Sequence, residues 1–216
     1  MRIDIFSDPI CPWCFIGKRR LERALRSRPG LRPTVAWRAF QLNPAMPKDG
    51  MDRQHYLSAK FGSAAEAQRL YGHIAQVGLT EDIEFRFDRI AVTPNTVDAH
   101  RLIRLAGDND QASEMAEALF HAYFLEGRNI GDRAMLTSIA AEVGLDRQTA
   151  ESYLASGEDA DTIRGEDLHG RQLGIEGVPY FIVDGRYALS GAQEPEAFFS
   201  IFDMVAENLK AAANAD

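Results

Sequence analysis

The chain is nearly devoid of cysteine: Cys11 and Cys14 are its only two in 216 residues. That excludes a disulfide scaffold and an all-cysteine zinc site. The histidines (His55, His73, His100, His121 and His169) are scattered without ligand-like spacing, so no metal site is expected. Long apolar runs are missing as well. None approaches the ~18 residues of a membrane-spanning helix, so no membrane partner is expected. Met1-Arg2-Ile3-Asp4 runs straight into a strand pattern, where a secretory signal needs a longer uncharged apolar stretch. An excess of basic residues is missing too. The net charge is −8 and the pI about 5.2, which argues against non-specific nucleic-acid binding. There is no internal repeat and no low-complexity tract. The expected setting is cytoplasmic, where a lone cysteine pair is more often catalytic than structural.

What is present is concentrated in Ser7-Asp8-Pro9-Ile10-Cys11-Pro12-Trp13-Cys14-Phe15-Ile16-Gly17. Ile3 and Ile5 alternate with Arg2 and Asp4, a strand pattern that Asp8-Pro9 breaks. Pro12 suits the first position of a helix, where a missing N–H is tolerated. Cys11 then falls at a helix N-terminus and Cys14 about one turn in. The helix dipole and unpaired N–H groups at that end favour a thiolate and lower a cysteine pKa from about 8.5 into the ~3.5–7.5 range. Gly17, Leu21, Ala24 and Leu25 share a helical face with Cys14, so Cys14 is expected to be buried and Cys11 to stand at an exposed tip. Half of a zinc site and two inert cysteines placed together by coincidence are the alternatives to redox chemistry. Lys18, Arg19, Arg20 and Arg23 read as a solvated helix face or as a local positive field for anionic substrates. Asp8 is a candidate proton acceptor whose plainer role is to make the turn.

The chain is long enough for one large domain or a domain with an insertion. Val35, Trp37 and Ala39 mark a second strand, parallel to the first across the helix. From Pro44 the pattern turns helical to about Gly174. Ser63 to Glu66 reads as a capping box with Gly78 closing the helix. Thr93-Pro94 reads as opening another helix that ends at Gly107. Met115, Ala118, Leu119, Ala122 and Tyr123 form an apolar stripe, Asp132 caps the next helix, and Gly157 stops a short one. Ile83 to Phe87 alternates and is expected to be extended. Strands return at Gly177 to Val183, with Asp184-Gly185 as a hairpin turn into Arg186 to Ser190. Glu194-Pro195 starts a last helix with Ala197, Phe198, Ile201, Phe202, Val205 and Leu209 on its apolar side.

Cys11 to Arg20, Phe40-Gln41-Leu42-Asn43-Pro44, Asn95-Thr96 through Leu102, Gly177-Val178-Pro179 and Ser190-Gly191-Ala192-Gln193 together resemble the DsbA family. The closer likeness is to its FrnE-like branch, beside 2-hydroxychromene-2-carboxylate isomerases and kappa-class glutathione transferases. The resemblance implies an α/β thioredoxin-like fold with a large all-helical insertion. Residues 1–46 and 175–216 would form the thioredoxin-like domain and 47–174 the insertion. It implies a cis peptide bond before Pro179, facing the cysteines. It also implies thiol–disulfide oxidoreductase activity, with Cys11 as nucleophile, Cys14 resolving, and Pro12 and Trp13 setting the local packing. The isomerase and transferase branch has serine where this chain has Cys11, which places the chain on the redox side.

The implied partner is a disulfide-containing or thiol substrate, protein or small molecule. No tightly bound cofactor is implied, and glutathione as substrate or co-substrate stays open. An extended substrate or glutathione would pair with the Val178 backbone, and the loop Ser190-Gly191-Ala192-Gln193 and Asn43 would bind it further. Phe85, Phe87, Asn95, Thr96 and His100 are expected to line a groove on the insertion or simply to pack it on the core. A glutathione-dependent isomerase or transferase and a non-enzymatic binding or chaperone module are the rival functions. A homodimer is left open.

Overall fold

The computed structural model describes residues 1–213. Strand β1 (Arg2–Ser7) leads through the Asp8-Pro9 turn into helix α1 (Pro12–Arg26), and β2 (Thr34–Ala39) returns parallel to β1, Ile5 opposite Trp37. The insertion follows. A two-residue ribbon pairs β3 (Met51–Asp52) with β4 (Val92–Thr93) and encloses α2 (Arg53–Phe61) and α3 (Ala64–Leu79). The rest is helical: α4 (Val97–Gly107), α5 (Ala112–Phe124), α6 (Arg133–Val143), α7 (Arg147–Ser156) and α8 (Ala160–Gln172). Then β5 (Tyr180–Val183) and β6 (Tyr187–Ser190) form an antiparallel hairpin, and α9 (Pro195–Ala213) closes the described chain. Asp184, Gly185 and Arg186 link the two strands, the Arg186 N–H donating to the Val183 carbonyl at 3.1 Å, with Asp184 at φ 49° and Gly185 at φ 65°.

The sheet runs β2-β1-β5-β6, with β5 antiparallel to β1. Strand alternation sends side chains to two layers. Ile3, Ile5, Phe181 and Val183 meet Leu21 and Ala24 of α1 and Phe198, Phe202 and Val205 of α9. Phe6 faces the other way, with Phe40 and Ile175. The last helix therefore uses the expected apolar side; the Leu209 side chain lies outside the described residues. A larger cluster joins Cys11, Cys14 and Phe15 to Phe85, Phe120, Phe124 and the inner faces of α4 to α7. The active-site helix thus shares its core with the insertion.

Several local expectations are corrected. The helix expected at Pro94 begins at Val97 instead, because Thr93 is held in β4 and the Asn95 side-chain oxygen accepts the Val97 N–H at 3.0 Å. Gly78 does not close α3, which runs to Leu79. A Cβ at Gly78 would lie 2.5 Å from the Phe85 ring, so the position is kept small by packing inside the helix. Ile83 to Phe87 pairs with no strand; Phe85 and Phe87 stack at 4.8 Å and the chain enters a 3-10 turn at Phe87–Arg89. The α1 cations are only partly a solvated face: Arg23 is exposed and Arg19 partly so. Lys18 and Arg20 are buried, Arg20 meeting Glu81 at 2.8 Å and Lys18 meeting Glu117 at 2.8 Å.

Helix α1 presses on the start of β5 at Gly17, where a Cβ would meet Pro179 Cγ at 2.7 Å and the Phe181 ring at 3.3 Å. Neither is the end of a flexible chain that can swing away. Gly17→Ala is therefore expected to lower stability by about 1–3 kcal/mol, the usual penalty of overpacking. Gly30→Ala, where an added Cβ meets nothing, should stay within about 0.5 kcal/mol of the parent. Urea unfolding of both variants checks this, and equal midpoints would show that the close approach is not real.

Candidate active site

Cys11 is the residue before the first turn of α1, with φ −95° and ψ 111°, and Pro12 occupies the first helical position. The chain is turned into that position by a hydrogen bond from the Cys11 N–H to the Asp8 carbonyl at 2.9 Å. The Cys14 N–H then donates to the Cys11 carbonyl at 3.0 Å, bringing the second cysteine back over the first. Both thiols are free and the two residues approach to 3.3 Å. Among the described residues no cluster of potential ligands could hold a metal ion.

The exposed tip expected for Cys11 is not found: it is 3% exposed, against 2% for Cys14. The reason is the segment before β5. The Val178–Pro179 peptide bond is cis, and the Val178 carbonyl lies 3.4 Å from Cys11 Sγ, covering it. Trp13 flanks the motif, half-buried, with its ring 6.2 Å from that of His73. The loop after β6 reaches the same region. The Gly191 N–H donates to the Pro179 carbonyl at 2.8 Å, and the Ala192 carbonyl accepts from Arg20 at 2.7 Å. Ser190 and Gln193 are exposed and bonded to each other through the Gln193 amide and Ser190 carbonyl. Cys11, Cys14, Pro12, Trp13, Val178, Pro179 and the 190–193 loop are thus brought together.

Asn43 sits on a different support. It exchanges hydrogen bonds with the Tyr56 hydroxyl at 3.1 and 3.3 Å, and Lys60 donates to that hydroxyl at 2.7 Å. Asn95 is turned away, its amide donating to the Met46 carbonyl at 2.7 Å while its oxygen caps α4. Phe85 and Phe87 are part of the aromatic cluster around Phe124. Thr96 and His100 are not groove residues: they are 2% and 4% exposed and lie beneath the dithiol, beside Asp8 and Gln41.

Asp8 makes the turn and does more. One carboxylate oxygen accepts the Ile10 N–H at 3.3 Å and the other the Leu42 N–H at 2.7 Å, yet among the described residues no lysine or arginine pairs with it. It is 0% exposed. Burial pushes its pKa up to about 7, against the pull of the Leu42 and Ile10 N–H groups, the Thr96 hydroxyl and the more distant Lys60 charge. Burial pushes the Cys14 thiol up too. The hydrogen bond to Cys11 and the negative charge there push it further, while the Ser7 hydroxyl and Asp8 backbone pull the other way. His100 Nε2 is 3.8 Å from Asp8 Oδ1. Burial lowers its pKa to about 4, although the Asp167 charge and the Phe40 carbonyl favour the cation. Near neutral pH this contact therefore joins a neutral imidazole to a half-titrated carboxyl and is not an ion pair.

Sequence reasoning missed Ser7 and Arg53. Arg53 is buried, bonds Thr93 Oγ1 at 3.2 Å, and lies under the rings of Tyr71 and Tyr56. No local pattern marks Arg53, because its surroundings come from distant segments, whereas Ser7 opens the motif stretch and meets Cys14 within it.

Residues 2–203 match the DSBA-like thioredoxin domain. The protein belongs to that family. A probable DsbA oxidoreductase of Streptomyces coelicolor is similar in structure, with 33% identity and a TM-score of 0.84, over 93% of this chain and 88% of that one. Bacillus subtilis YwbO is 29% identical over 199 residues, 92% of this chain and 94% of its own. The Pseudomonas aeruginosa cytosolic disulfide reductase DsbM, solved with GSH, shares the fold at 22% identity and a TM-score of 0.66, covering 96% of this chain and all of that one. The spread of these relatives fits the FrnE-like branch.

Asp8 and His100 have opposite linkage to folding. Folded Asp8 holds its proton from its ordinary 3.8 up to about 7. Its contribution to stability is full below that range and is lost as pH rises through about 7. His100 is neutral from its ordinary 6.5 down to about 4, so its contribution is full above 6.5 and is lost as pH falls through about 4. Between about 4 and 6.5 the two slopes cancel. Asp8→Asn is expected to expose the His100 slope, with stability rising by about 1.4 kcal/mol per pH unit across that window. Denaturant titrations of parent and variant from pH 4 to 7 test this; parallel profiles would refute the opposed titrations.

Proposed function

We propose that this protein is a thiol–disulfide oxidoreductase with Cys11 as the attacking thiolate and Cys14 as the resolving thiol. The observation that carries this reading is the asymmetry of the two cysteines. Cys11 sits at the helix N-terminus against the Val178 carbonyl, while burial and the neighbouring charge hold Cys14 protonated. In the reducing direction, Cys11 attacks one sulfur of a substrate disulfide. The substrate S–S bond breaks, a Cys11–substrate disulfide forms and the first substrate thiolate leaves. Cys14 then loses its proton and attacks Cys11 Sγ, releasing the second substrate thiolate and leaving a Cys11–Cys14 disulfide. The substrate gains two electrons and the dithiol loses them; oxidation runs the same steps backwards. Asp8 is the proton acceptor for Cys14. A carboxyl titrating near 7 can take a proton and give it back at working pH.

The substrate lies extended across the Val178 backbone, with Trp13 on one side and Gly191 and Ala192 on the other. Glutathione is the second reading of the substrate. DsbM was solved with GSH, and here the exposed Lys60 bonds the Tyr56 hydroxyl, itself held by Asn43, and its charge reaches Asp8. A thiol pair of this kind is at work in a reducing compartment such as the cytoplasm.

Cys14→Ser is expected to accumulate mixed disulfides when mixed with a disulfide substrate, since nothing resolves them, and Cys11→Ser to form none. Non-reducing mass spectrometry reads both. Equal trapping by the two variants would overturn the assignment of roles. Retained client binding after both cysteines become serine, with no dithiol turnover in the parent, would favour a chaperone. Conjugation of glutathione to an electrophile without disulfide turnover would favour a transferase.

A further inference from the structure

Strand β2 is an edge of the sheet: β1 pairs with one side of it, and among the described residues no strand pairs with the other. Successive residues of a paired strand turn their backbone N–H and C=O groups to opposite sides. The Thr34 and Phe40 N–H groups donate to the Met1 and Ser7 carbonyls, both at 3.1 Å, so these positions face β1. Val35, Trp37 and Ala39, in the alternate positions, present their backbone groups to the outer edge. The Ala39 N–H shows this parity directly, because it donates outward to Glu166 Oε2 at 2.9 Å. Among the described residues the Val35 and Trp37 N–H groups have no such partner. Pro33, which has no donor, ends the open stretch on the other side. The Trp37 indole N–H bonds Ser113 Oγ at 3.0 Å, so α5 holds the strand here without using its backbone.

An unpaired edge recruits a further strand unless charge, proline or a covering element blocks it. This edge lies in a trough. A cavity of about 590 Å³ follows it from Pro33 to Ala39, walled by Ile103 and Arg104 of α4, Ser113 of α5, and Ile163 and Glu166 of α8. The β2 edge of a second copy, set in a trough of its own, cannot enter, whereas a single extended segment can. Charge selects among such segments. Arg38 is met by Asp4 at 2.8 Å and Glu166 at 3.1 Å, and Arg104 by Asp159 at 3.0 Å. Asp108, Asp110 and Glu114, where α4 passes into α5, line the same trough, and they are exposed. Among the described residues no cation pairs with them. The trough is left negative, in a chain whose net charge is −8, and so attracts a basic segment.

We propose that the outer edge of β2 is a docking site for a basic, extended segment of a partner protein. The segment adds to the sheet as a further strand, pairing with the backbone of Val35 and Trp37, and sets a lysine or arginine against Asp108, Asp110 and Glu114. Backbone pairing supplies the attachment and the carboxylates supply the choice of partner. None of Cys11, Trp13, Val178 or Ala192 lines the trough, so the site is separate from the dithiol and from the Val178 edge. It stands whichever substrate the dithiol takes.

The test uses the full chain and amide hydrogen exchange read by NMR, with two capped, cysteine-free pentapeptides, Lys-Thr-Val-Thr-Lys and Glu-Thr-Val-Thr-Glu. In the free protein the Val35 and Trp37 amides should exchange ~10-fold or more faster than those of Ala36 and Arg38, which face β1. The lysine peptide at millimolar concentration should slow Val35 and Trp37 by ~10-fold and leave Ala36 and Arg38 unmoved. The glutamate peptide should slow none of them. A lysine peptide N-methylated at its valine and both threonines keeps the charge but cannot form the ladder, and it should protect nothing. The double variant Asp108→Lys, Glu114→Lys should weaken the lysine peptide by ~10-fold and admit the glutamate peptide. If that variant does not fold, the two peptides carry the charge test in the parent. Val35 and Trp37 amides as slow as their neighbours in the free protein would overturn the proposal. So would an absence of protection by the lysine peptide, or equal protection by its N-methylated form. Protection that grows with protein concentration without peptide would assign the edge to a second copy and overturn it as well.

Discussion

The contact on which this site depends is the approach of α1 to the segment that starts β5. Cys11 Sγ reaches the Val178 carbonyl at 3.4 Å only because the helix behind it comes to Pro179 and Phe181 with no side chain at Gly17 in the way. Phe181 is in turn fixed opposite Ile5 in the sheet and against Phe198 of α9 at 5.0 Å. Cys11 on its helix and the Val178 backbone edge that faces it are thereby parts of one packed layer. Reactive geometry of this kind is more precise on rigid elements than on free loops.

The insertion holds the same helix from its other side. Glu81, after α3, is buried between Arg20 and Arg23 of α1, and Glu117 of α5 meets Lys18 and Arg19. Arg20 and Glu81 are both nearly sealed from water. Removing one partner of such a pair typically costs about 3–5 kcal/mol, because a buried charge is left behind. The same Arg20 also bonds the Ala192 carbonyl, so one guanidinium joins α1, the insertion and the loop after β6. The insertion is therefore more than a wall beside the site; it fixes the orientation of the helix that carries the dithiol.

What was legible in the sequence was what local chemistry controls. Pro12 at the helix start, the alternation of Ile3 and Ile5, the Asp184-Gly185 turn and the Asp132 cap are each decided by a few neighbouring residues, and each appears as expected. The Cys11-Pro12-Trp13-Cys14 dithiol was legible for the same reason, and Val178-Pro179 came through resemblance. What was not legible depends on segments far apart in sequence. Cys11 looked exposed because the Val178 carbonyl that covers it comes from the other end of the chain. Lys18 and Arg20 looked solvated because Glu117 and Glu81, which bury them, belong to the insertion. Thr96 and His100 looked like groove residues because a helix start is a common place for ligand contacts, whereas packing against β1 and β2 turns this one inward.

Asp8 shows why the hidden part of the site is the chemically decisive part. From the sequence it is a turn residue, and it does hold the Ile10 N–H. A turn alone would leave the carboxylate in water and ionised. Here the 40–42 segment and Thr96 close over it, so two backbone N–H groups and a hydroxyl replace its hydration with no cation among its partners. Partial compensation of that kind leaves a carboxyl near neutrality in affinity for its proton, where an ion pair would have held it firmly ionised. The fold raises the proton affinity of this carboxyl by burying it with no lysine or arginine ion pair among the described residues.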